Sequence, residues 1–126
     1  MYITPLQSIL KELEEIQEFL EITPSEDPNE AVYRGNQIGV YMARSLKLLA
    51  DAKYHQDEKL KSSVIAEIKQ LLSLPPSLAN KFIDTLTKEE NYAVVWAERI
   101  NRTCSHQMDW SRTIISKAKA EMQANI

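Results

Sequence analysis

Glycine is almost missing from this chain, with two residues in 126. That scarcity argues against a β-rich or loop-rich design, which draws on glycine at turns and bulges. A single cysteine permits no internal disulfide, as is usual for a protein of a reducing compartment. No uncharged apolar run approaches the roughly 18 to 20 residues that a membrane span requires. The opening MYITPLQSIL has no basic segment leading into an apolar one, so no secretory leader is read and a cytoplasmic protein is expected. The candidate metal ligands His55, Cys104 and His106 are too few for zinc, and Cys104 and His106, two residues apart, point to different faces of a helix. Phosphate-cradling loops, dinucleotide fingerprints, nucleophile elbows and metalloprotease motifs are all absent. No enzyme, no metal and no cofactor is expected.

What is present reads as one all-helical domain over residues 1–126, with 44% hydrophobic and 26% charged residues. The net charge of −3 hides an asymmetry. Residues 1–30 hold one lysine against eight acids, a balance of −7, and the remainder is therefore +4. A duplex-binding domain usually shows a stronger basic surplus than that.

The first helix is expected to start with Thr4 as N-cap, Pro5 at the first helical position and Gln7 completing a capping box. Leu6, Ile9, Leu13, Ile16 and Leu20 then recur at helical spacing and mark its buried side. TPSEDP breaks it, and Asp27, Pro28 and Glu30 repeat the starting signature for a second helix. That helix carries Gly35, Gly39 and Ala43 at four-residue spacing, a stripe nearly free of side chains. Glycine inside a helix costs about 1 kcal/mol relative to alanine, so two in register imply close packing, against another helix of the chain or in a subunit interface. The charges around the stripe exclude a membrane setting.

Further along, Met42, Leu46, Leu49 and Lys53 fall on one side of the second helix, and Val40, Ala43, Lys47, Ala50 and Tyr54 on another. A bend or short turn is expected within His55–Ser63, where polarity rises, before helix resumes over Val64–Leu74. Pro75 and Pro76 end that segment, Ser77 is expected to cap a short helix over LANKFIDTL, and Thr87 with Glu90 forms a capping box for the last helix, from about Lys88 to Met122. The architecture expected is a compact, mostly antiparallel helical bundle with a long C-terminal helix.

On that last helix Ala93, Ala97, Ile100, Cys104, Met108, Ser111, Ile115, Ala118 and Met122 share one narrow face, the expected core stripe. Cys104 lies near its centre and reads as a buried hydrophobe rather than a nucleophile. The opposite face carries Arg99, Arg102, His106, Asp109, Thr113 and Ser116 with Trp110 at its edge. Lysine and glutamate would fill a merely solvated face. Arginine forks suit phosphate and tryptophan stacks a base, so Arg99, Arg102, His106, Asp109, Trp110 and Thr113 form a candidate ligand-binding face, with Arg34, Arg44, Lys47 and Lys53 as an extension. In the competing reading the face is structural: His106 pairs with Asp109, and Arg99 and Arg102 bridge to the acidic first helix.

Two stretches, YMARSLKLLADAKYH (Tyr41–His55) and WAERINRTCSHQMDWSRTIISKAKAEM (Trp96–Met122), resemble small helical proteins encoded by phages and prophages. The resemblance implies a phage-type protein, in the host cytoplasm, that acts by binding. Three functions follow as expectations. The first is a homo-oligomeric module for an anionic or nucleotide-like ligand, such as a host-defence signal. The second is an accessory of nucleic-acid metabolism that grips single strands, and the third is a helical module that binds a host protein.

Overall fold

A computed structural model describes residues 1–62, 67–68 and 73–125. Its elements are α1 (Leu6–Leu20), α2 (Pro28–Leu60), α3 (Pro76–Leu86) and α4 (Lys88–Ala124). The expected helix over Val64–Leu74 lies mostly outside the described residues. No helix among those described is long and apolar enough to cross a membrane.

The fold is an all-α bundle built around the antiparallel pair α2 and α4. Gly35 lies against Ser111, Gly39 against Met108, and Gln56 bonds Asn91, so the two chains run in opposite directions over most of their length. Helix α1 seats Ile9, Leu13, Ile16 and Leu20 into this pair, where they meet Ile38, Leu48, Ala52, Ala93, Ala97, Ile100 and Cys104. Burying each aliphatic side chain of this size contributes about 1.5 to 3 kcal/mol.

Polar ties fix where α1 sits. The Thr4 amide donates to Asp51 Oδ2 at 2.9 Å, and His55 Nε2 donates to the Thr4 carbonyl at 2.7 Å. Midway along α1, Arg44 grips Glu12 through two hydrogen bonds of 2.7 and 3.1 Å. The Leu20 carbonyl, left without a helical partner at the end of α1, accepts from Gln107 Nε2 at 2.9 Å.

Three expected caps are not formed. The first helix begins one residue later than expected, with Pro5 in the N-cap position, because the Thr4 backbone is committed to α2. Thr87 Oγ1 donates back to the Ile83 carbonyl instead of accepting from Glu90, so α3 and α4 meet at a one-residue joint. Helix α3 starts at Pro76, which leaves Ser77 inside its first turn rather than before it. Only Asp27 caps as expected, accepting from the Glu30 amide at 3.3 Å.

The turn expected within His55–Ser63 falls at the far end of that stretch: α2 runs on to Leu60, and the chain turns at Lys61 and Ser62. His55, Gln56 and Lys59 stay helical because each has a polar partner on a neighbouring element: the Thr4 carbonyl, Asn91 and Glu90. The buried residues of α2 are Ala31, Ile38, Ser45, Leu48, Asp51 and Ala52, which belong to neither side picked out in the sequence.

Candidate functional site

Helix α4 buries Ala93, Val94, Ala97, Ile100, Cys104, Ser111 and Ile114. The expected stripe holds as far as Ser111 and then rotates: Ile114 is buried where Ile115 was expected, and Met122 is 72% exposed. Past Ser111 the helix still runs beside the start of α2, where Glu26 and Pro28 share a groove with Ile114, Ala118 and Glu121. Burial raises the Cys104 thiol above its ordinary value, as expected for a core residue without a polar neighbour.

The opposite face is open. Arg99, Arg102, His106, Asp109, Trp110, Thr113 and Ser116 are all exposed. Among the described residues Arg99 and Arg102 form no ion pair, and Asp109 turns to Arg112 at 3.5 Å rather than to His106. The structural reading of this face is thereby corrected. Helix α1 reaches α4 through Gln17 to Trp96 and Leu20 to Gln107, not through Arg99 or Arg102, and its Glu12 pairs with Arg44 of α2.

The proposed basic extension is corrected as well. Arg34 lies 4.9 Å over the Phe19 ring and donates to Gln107 Oε1 at 2.7 Å. Burial pulls its guanidinium below the ordinary value. Arg44 is held by Glu12, and Lys47 bonds Asp51 at 2.7 Å and the Tyr2 carbonyl at 2.9 Å. These three cations fasten the N-terminal segment and α1 to α2. Lys53 alone of the four is exposed with no ion pair among the described residues.

What the sequence reading missed lies just before Arg99. Tyr92, Trp96, Arg99, Thr103, His106, Trp110, Thr113 and Lys117 follow one another at alternating intervals of four and three residues, so they form one continuous row beside the face already named. Tyr92 is 59% exposed and Val95 45%, and the Tyr92 and Trp96 rings pack 5.5 Å apart at 58°. Extending the spacing of Arg99, His106 and Trp110 backwards would have found them. The row spans about 37 Å at 1.5 Å per residue. Two open grooves border it: one of about 130 Å³ lined by Tyr92, Val95, Trp96 and Arg99, and one of about 360 Å³ lined by residues that include Pro28, Trp110, Thr113 and Lys117.

Gly35 and Gly39 face α4 within the chain, with an added Cβ 3.5 Å from Ser111 Cβ and from Met108 Cε. Ala43, the third member of that stripe, points outward and is exposed. Among the described residues no three of His, Cys, Asp and Glu come together as a metal cluster. No protein family, curated protein or solved structure matches the chain.

Proposed function

We propose that the protein is a non-enzymatic binding module whose α4 face takes an anionic ligand that carries bases, a nucleotide or a nucleic-acid strand. One observation carries this reading: exposed Tyr92 and Trp110 share one side of α4 with exposed Arg99, Arg102 and Lys117, and Arg99 and Arg102 form no ion pair with the acidic α1 among the described residues. Arg99, Arg102, His106 and Lys117 would contact phosphates, and Tyr92 and Trp110 would stack bases. Asp109 and Thr113 add polar contacts at one edge.

Within this class, the geometry favours a strand over a single nucleotide. Small ligands are held in concave sites, whereas a strand lies along a convex face and meets the same chemistry repeatedly. The groove beside Trp110 and Lys117, at about 360 Å³, is the place a single nucleotide would occupy, although Glu26 and Glu121 line it too. The resemblance to phage-encoded helical proteins supports action by binding in the host cytoplasm.

Fluorescence anisotropy with a labelled oligothymidylate, competed by mononucleotide and repeated at several salt concentrations, tests the reading. Substituting Arg102 and His106 together should abolish binding while circular dichroism is unchanged, since both side chains are exposed. Affinity should fall steeply with salt in proportion to the phosphates neutralised. Competition by mononucleotide at comparable concentration would move the site to the groove beside Trp110. No binding of either ligand would overturn the reading.

A further inference from the structure

Helix α2 has a second exposed face, on the side turned away from the bundle. Val32, Val40, Ala43, Leu46, Ala50 and Tyr54 lie along it, and the large residues among them are 44 to 63% exposed. The row covers about 33 Å of helix at 1.5 Å per residue. On a chain in which 26% of residues are charged, the row itself contains no charge, and Asn36 is its one polar member. Isolated exposed apolar residues need no explanation, but a continuous apolar row marks a contact surface.

We infer that this face of α2 is where a second copy of the chain docks, with the two α2 helices antiparallel and their two-fold axis at Ala43. With Asn36 included, the intervals from Val32 to Tyr54 are 4, 4, 3, 3, 4 and 4, the same read from either end. A two-fold axis at Ala43 sets each residue against the one equally far on the other side of position 43, and the row satisfies that pairing throughout. Val40 then opposes Leu46, Asn36 opposes Ala50, and Val32 opposes Tyr54. Ala43, exposed and carrying only a methyl group, lets the backbones approach at the crossing.

Charge agrees with the same orientation. The start of α2 is flanked by Glu26, Asp27 and Glu30, all exposed, and its end carries Lys53, Lys61 at the C-cap and Lys59, which also lies 4.0 Å from Glu90, against Asp57 and Glu58. An antiparallel pair sets each acidic start beside the basic end of its partner. A parallel pair would set the acidic starts together. The pairing face lies on α2 and shares no residue with the α4 row, so the inference does not depend on what α4 binds.

Sedimentation velocity of the full chain at micromolar concentration tests the inference, with an engineered charge pair and cysteine cross-linking to fix the register. The full chain should sediment as a dimer. Leu46→Glu should sediment as a monomer with the helicity and melting of the parent, and Val40→Lys combined with Leu46→Glu should restore the dimer through two symmetric ion pairs. Ala43→Cys should cross-link under mild oxidation and Ala50→Cys should not, with buried Cys104 silent in both. A monomeric parent chain, a dimer that survives Leu46→Glu, or equal cross-linking at positions 43 and 50 would each overturn it.

Discussion

The backbone amide of Thr4 donates to the carboxylate of Asp51 at 2.9 Å, a bond across 47 residues that ties the segment before α1 to the middle of α2. The Asp51 side chain is only 2% exposed, and burial alone would raise its pKa. The Lys47 ammonium at 2.7 Å and the Thr4 amide outweigh that effect and hold the carboxyl below its ordinary value. A carboxyl depressed by folding contributes stability above its unfolded pKa of about 3.9, and the contribution is lost as pH falls towards the folded value. Melting temperature should therefore drop between neutral pH and about pH 3, and Asp51→Asn should flatten part of that drop while destabilising the protein at neutral pH by about 1 to 3 kcal/mol. Parallel pH profiles for parent and variant would refute the role given to Asp51.

Glycine at positions 35 and 39 is not required by space. An added Cβ meets Ser111 and Met108 at 3.5 Å, an ordinary contact distance. Alanine at either site should raise stability by about 0.4 to 1 kcal/mol through the lower entropy of the unfolded chain. Leucine at position 39 should destabilise by about 1 to 3 kcal/mol by pressing on Met108. Urea denaturation of the three variants checks both signs.

Leu13 is fully buried between α1 and the α2–α4 pair. Leu13→Ala should cost about 2 to 5 kcal/mol. Arg44→Ala should cost far less, because both partners of its ion pair with Glu12 are more than a third exposed. Equal losses in chemical denaturation would mean that α1 is held by charge rather than by its apolar face.

Cys104 has no exposed surface, and burial raises its thiol pKa. Reaction with a thiol reagent at neutral pH should be slow in the native protein and rapid in denaturant. Fast native labelling would mean that α4 opens locally at that turn.

Much of the fold is legible in the sequence wherever a single periodicity dominates. Helix α1 has one apolar side, and Ile9, Leu13, Ile16 and Leu20 are all buried as its spacing requires. Helix α2 is different: apolar residues surround it, some facing the core and some outward, so spacing alone does not select the side carrying Ile38 and Leu48. Caps are legible only where nothing distant competes. Asp27 caps α2, whereas the Thr4 amide is drawn to Asp51 and the Thr87 hydroxyl to Ile83.

The candidate face on α4 was readable in composition and spacing from Arg99 to Thr113. The same spacing extended backwards reaches Trp96 and Tyr92, but it does not tell that Trp96 is half-buried against the core while Tyr92 is open. Exposure on the folded helix separates them, and the position of α1 decides that Arg34, Arg44 and Lys47 serve the fold. A packing partner 14 to 73 residues away leaves no local trace in sequence.

The most direct measurement of the binding face uses the protein's own two tryptophans, both on α4 at positions 96 and 110. Titration with an unlabelled oligothymidylate at low salt should quench their fluorescence, Trp110→Phe should remove a large part of the signal, and added salt should reverse the quenching. An unchanged spectrum at saturating oligothymidylate would contradict the assignment of α4 as a base-stacking, phosphate-binding face.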